Sequence, residues 1–106
     1  MSKYLLTASY TADGAKGLMK EGGTKRPEAA EQAVKSVGAK LDAFYFAFGD
    51  DDAYLIVDAP GHGSVAAMSV AINATGVVHS KTVVLMTPED MDQASKKAVI
   101  YRAPGR

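Results

Sequence analysis

Ala43-Phe44-Tyr45-Phe46-Ala47-Phe48-Gly49-Asp50-Asp51-Asp52-Ala53-Tyr54-Leu55-Ile56-Val57-Asp58 decides how this chain folds. Aromatic and β-branched residues fill both arms of the stretch, and Gly and Asp fill the break between them. That is the pattern of two strands joined by a tight acidic turn. A sheet with one wet face alternates polar and apolar residues. The first arm does not alternate: both of its faces are apolar or aromatic. Something must therefore cover both faces of this hairpin, which points to an assembly.

Working outward, Lys3 to Tyr10 reads as a first strand, with Tyr4, Leu6, Ala8 and Tyr10 on one face and Lys3, Leu5, Thr7 and Ser9 on the other. Thr11 is placed to cap a short helix running to about Lys20, which Glu21-Gly22-Gly23-Thr24 ends. Thr24 is placed to cap a second helix, with Pro27 in its first turn and Ala30, Ala33, Val34 and Val37 at helical spacing. Gly38 suits its C-terminal end. The second strand is expected over Lys40–Phe48 and the third over Ala53–Asp58.

Beyond the hairpin, Ala59-Pro60-Gly61-His62-Gly63 reads as a loop and Ser64 as the cap of an uncharged helix, Val65–Ala74. A helix without charge is expected to be buried on most sides, and it makes assembly beyond a dimer an open expectation. Val77 to Thr87 reads as a fourth strand with a polar interruption, His79-Ser80-Lys81. Thr87-Pro88-Glu89-Asp90 carries a cap, a proline and early carboxylates, and starts a last helix through Met91, Ala94, Ala98 and Val99. The tail from Tyr101 is expected to be extended or loose.

This order is a split βαβ repeat: an α+β, ferredoxin-like βαββαβ domain with an extra C-terminal helix, occupying residues 1–106 as one domain. Its sheet carries helices on one face. The other face is expected to meet a second copy, with the two sheets pairing into a dimeric α/β barrel.

Composition narrows the function classes. Twelve Lys and Arg balance twelve Asp and Glu, so there is no electrostatic footprint for nucleic acid. Lys25-Arg26 and Lys96-Lys97 read as solvated helix positions. The absence of cysteine removes thiol catalysis, thiolate metal sites and disulfides. No signal peptide and no membrane-spanning apolar run is evident, so the expectation is a cytoplasmic protein without membrane contact.

The stretches Tyr4–Tyr10, Gly14–Gly23, Ala43–Asp58, the uncharged helix leading to Gly76, and Thr82–Pro88 resemble the GYD domain family, small proteins placed near the dimeric α/β-barrel group. The Phe48-Gly49 turn followed by Asp52 and a β-rich strand is the most specific part. Asp51 stands where the name-giving motif has a tyrosine. The resemblance implies a fold rather than a reaction. Dimeric α/β barrels include cofactor-independent monooxygenases, haem-degrading enzymes, lactone isomerases and small-molecule sensors, and fold alone does not choose among them.

Few residues offer chemistry. His79 and Lys81 share a strand face; a histidine beside a cation in a cavity would be a candidate catalytic base, and otherwise a polar pair at a rim or interface, satisfied by Asp42, Asp58 or backbone. His62 sits between glycines before a helix, a place for an anion or simply loop punctuation. Asp50-Asp51-Asp52 reads as a solvated turn rather than a metal site, with Asp52 capping its own turn. Tyr10, Tyr45, Tyr54, Asn73 and His79 are the candidate polar points of a cavity for a flat apolar ligand. No metal and no cofactor is called for. Three readings stay open: a small-molecule binding or regulatory protein with its ligand between sheet and helices, a cofactor-independent monooxygenase or isomerase with His79 as base, and a structural assembly unit.

Overall fold

The computed structural model describes residues 1–106. The elements run β1 (Ser2–Tyr10), α1 (Ala12–Glu21), α2 (Lys25–Ser36), β2 (Lys40–Phe46), β3 (Ala53–Ala59), α3 (His62–Ala74), β4 (Val78–Leu85) and α4 (Pro88–Ser95). The strands form one antiparallel sheet in the order β2-β3-β1-β4. This is the ferredoxin-like α+β arrangement, with α4 as the added helix.

The alternation of β3 shows how the sheet is used. Ala53, Leu55, Val57 and Ala59 are buried, while Tyr54, Ile56 and Asp58 between them are half-exposed. The strand register puts Tyr4, Leu6 and Ala8 on the same face as the buried set. Val34 of α2 and Val65 and Met68 of α3 complete the core against that face. Leu5, Thr7 and Ser9 share the opposite face with Tyr54 and Ile56, and with His79, Lys81 and Val83 of β4. No helix of the chain covers that face.

Local chemistry explains most boundaries. Thr11 caps α1 by accepting from the Gly14 amide. The last residues of α2 and α3 are followed by Gly38 (φ 73°) and Gly76 (φ 74°), a left-handed conformation that glycine adopts without steric cost. Gly14 is required for another reason: a Cβ there would stand 2.1 Å from the Val77 carbonyl oxygen. That carbonyl accepts from the Thr11 amide at 3.0 Å, so α1 lies tight against the start of β4.

Several expectations are corrected. Strand β2 stops at Phe46, and the next amide, that of Ala47, donates to the Asp52 carbonyl at 2.8 Å and closes the turn. A bulge between Leu41 and Ala43 sets Asp42 apart from the ladder. Thr24 precedes α2 without a side-chain capping bond. Helix α3 begins at His62 rather than after Ser64, with Gly61 as its uncapped start. It is not buried on most sides: only Val65 and Met68 are, and Val70 is 69% exposed. In the single chain α3 lies on the sheet and its back faces solvent. Strand β4 spans Val78–Leu85. Helix α4 ends at Ser95, short of Ala98 and Val99, because nothing in the chain packs on its apolar side. Its start is as expected, with a capping box between Thr87 and Asp90 and Pro88 at the first position.

Candidate functional site

Between α2 and α3 the sheet is incompletely roofed. Ala29, Ala30 and Ala33 of α2 are too small to reach Ile72 of α3, and a cavity of about 110 Å³ remains over Leu6, Phe44 and Leu55. Its polar points are Tyr10, Arg26 and Ser80. Two further recesses adjoin it. One of about 490 Å³ opens toward the hairpin tip between Leu18, Phe46 and Phe48. The other, of about 190 Å³, runs between α1 and the start of β4 past Gly14 and Gly17. Tyr10 lines all three, and Arg26 lines two of them.

Tyr10 is placed by its strand. Its amide donates to the Asp52 carboxylate at 2.8 Å, and the Asp52 amide donates to the Ala8 carbonyl at 2.8 Å. These bonds pin the hairpin tip to the end of β1. The Asp52 side chain therefore serves the neighbouring strand, while its backbone carbonyl closes its own turn. Burial pushes the Tyr10 phenol above its usual range; Arg26 pulls it down and Asp52 pushes it further up. The phenol stays protonated at neutral pH and can donate a hydrogen bond to a ligand. Arg26 is held 3.6 Å from Glu21 and is 36% exposed at the side chain, so its guanidinium is available at the mouth of the cleft.

The five candidate residues do not meet at one place. Tyr10 lies at the cleft. Asn73 reaches from α3 to β4, where its carbonyl oxygen accepts from the Ser80 amide at 2.7 Å and its amide faces the Ser80 hydroxyl at 3.4 Å. It thereby satisfies a donor on an edge strand. Tyr45 and Tyr54 are direct cross-strand neighbours on the open face, away from the helices. His79 is also on that face, exposed, and lines none of the cavities described here.

The open face has charged groups at both ends. At one, Lys3 pairs with Asp42 at 2.6 Å and Asp58 at 3.7 Å. The hydrogen bond with Asp42 raises the Lys3 ammonium above its usual range, against a smaller opposing effect of desolvation. At the other, Asp51 accepts from the Ser9 hydroxyl at 3.1 Å and lies 3.5 Å from the Lys81 ammonium. Asp51 is 8% exposed, so the acidic turn is not wholly solvated. Asp51 is thus a carboxylate matched to a serine and a lysine. Lys81 pairs with Asp51 and not with Asp42 or Asp58.

His62 has a defined structural task. Its Nδ1 lies 2.8 Å from the hydroxyl of Tyr4, which is 1% exposed, and the two rings meet edge to face. A buried phenol needs a partner, and His62 supplies it. Sequence reasoning missed two residues here. It took Arg26 for a solvated helix position, whereas Arg26 lines two of the recesses. It also left the Tyr4 hydroxyl without a partner.

The GYD domain family model matches residues 4–95. The chain belongs to the GYD domain family. Comparison with curated proteins finds no match, and comparison with solved structures finds none either. The match takes in β1 through α4, so cleft and open face both belong to the GYD domain itself. No helix is long and apolar enough to cross a membrane, and no group of three His, Asp or Glu side chains is placed to hold a metal ion.

Proposed function

We propose that this GYD domain binds a small apolar or aromatic molecule bearing an anionic group, in the cleft between α2, α3 and the sheet. One observation carries the reading: three recesses meet at Tyr10, two of them with mainly apolar linings, and Arg26 lines two of the three. Apolar walls with a few convergent polar groups are the usual anatomy of a small-molecule site. The inner cavity, at about 110 Å³, is smaller than the roughly 150 Å³ that accommodates benzene. A ligand would therefore place an apolar end inside and extend past Tyr10 into an adjoining recess. Its carboxylate or phosphate would meet Arg26.

The test is calorimetry and thermal shift against a panel of aromatic and short aliphatic carboxylates and their neutral amides. Carboxylates should bind and amides should bind about tenfold more weakly, the loss of one charge-assisted hydrogen bond. Ala33→Leu should fill the inner cavity, abolish binding and leave the fold intact. Binding that survives both Ala33→Leu and Arg26→Ala would refute the site.

A second reading concerns assembly. The open sheet face presents Leu5, Ile56 and Val83 between its two charged ends. An apolar centre with a polar rim is what an interface between copies requires, and it supports pairing of two sheets in a homodimer. His79 on this face would then stand at the interface. Nothing places it at the cleft, and we do not propose it as a base.

A further inference from the structure

We propose that Met86–Tyr101 is an arm that packs on a second copy of the chain, extending the sheet-to-sheet interface; this rests on the homodimer reading above. Every residue from Met86 to Arg102 is exposed. Helix α4 buries no residue and makes no substantial contact with another element. Yet its start is strongly specified, by Pro88 and a Thr87–Asp90 capping box. Isolated helices shorter than about 12–15 residues are marginal in water, so an eight-residue helix needs a surface to pack on. In its own chain it packs on none.

The residues that follow are apolar and uncovered. Val99 is 79% exposed, Ile100 is 105% and Tyr101 is 75%. The molecule as a whole carries the same excess. Its accessible surface is 7566 Å², where a folded monomer of this mass shows about 5,700 Å². The surplus of about 1,900 Å² exceeds the roughly 800 Å² that each partner buries in a standard interface. The radius of gyration is 16.9 Å, against about 13 Å for a compact chain of this length.

A second copy is the occupant that this surface fits, because the arm is continuous with the open face. Leu85, the residue just before it, pairs with Lys3 in the register of that face. The arm thus leaves from the rim of the surface where the second sheet would sit. There it can lay Val99 and Ile100 on the partner.

The experiment is sedimentation velocity over a wide concentration range on the intact protein and on the double variant Val99→Asp/Ile100→Asp, with circular dichroism melts of both. Neither side chain is buried in its own chain, so the substitutions should leave the fold of each chain intact. The wild type should be a dimer and the variant should dissociate about 100-fold more readily, the loss of two buried aliphatic side chains. A variant dimer of unchanged affinity would overturn the arm and leave the sheet dimer standing. A monomeric wild type would overturn both.

Discussion

The two faces of the sheet have nearly the same raw material and different fates. On one, Tyr4, Leu6, Leu55 and Val57 are sealed under α2 and α3. On the other, Leu5, Ile56 and Tyr54 lie on the same strands, with Val83 on β4 beside them, and have no cover from their own chain. One residue of register separates core from surface. Apolar character alone therefore does not say which face a chain buries for itself and which it leaves open.

The contrast is best broken by matched truncations. Leu6→Ala should cost about 2–5 kcal/mol in chemical denaturation, the range for a buried leucine. Ile56→Ala, at a half-exposed site on the other face, should cost the isolated chain much less and should weaken self-association. Equal losses in the monomer would mean the two faces are not distinct.

Gly14→Ala tests how tightly the covered side is closed. The added methyl meets a backbone oxygen rather than a movable side chain. A loss toward the upper end of the roughly 1–3 kcal/mol of an overpacked site is expected, seen as a lowered Tm. An unchanged Tm would show that α1 can move off β4.

Thr7 sharpens the comparison from the open side. It is 7% exposed, and its hydroxyl is buried without a partner. Thr7→Val should raise stability by about 1 kcal/mol, since a desolvated hydroxyl with no hydrogen bond is a cost. Destabilisation instead would show that something supplies that hydroxyl with a partner.

The smallest effect is alkaline. Folding raises the Tyr10 and Lys3 pKa values above their ordinary 10.0 and 10.5. The folded state then binds these protons more tightly than the unfolded chain. Their contribution is fully present below pH 10 and is lost as pH rises through the raised values. Denaturation midpoints should fall above pH 10, and Tyr10→Phe should flatten part of that slope.

Much of the fold was legible because local signals agreed with one another. The Asp-rich turn, the glycines ending α2 and α3, and the Thr87-Pro88 start each mark a boundary by their own chemistry. The misplaced boundaries were those set by tertiary contact. Helix α3 starts at His62, which is bound to Tyr4, and α4 stops early for want of a neighbour. The candidate site was legible only in pieces. Tyr10, Tyr45 and Tyr54 all looked like polar points on strands, but strand alternation puts Tyr10 at the cleft and the other two on the open face. Arg26 carried no signal in the sequence, since its role depends on how α2 crosses the sheet. Asn73 was visible as an oddity, and its partner, the Ser80 amide, was not.

Native mass spectrometry of the protein, gently purified from the organism that makes it, reads both faces at once. The account predicts a dimer carrying a discrete extra mass of a small acidic molecule, lost in Ala33→Leu while the dimer remains. A monomer without added mass would contradict it.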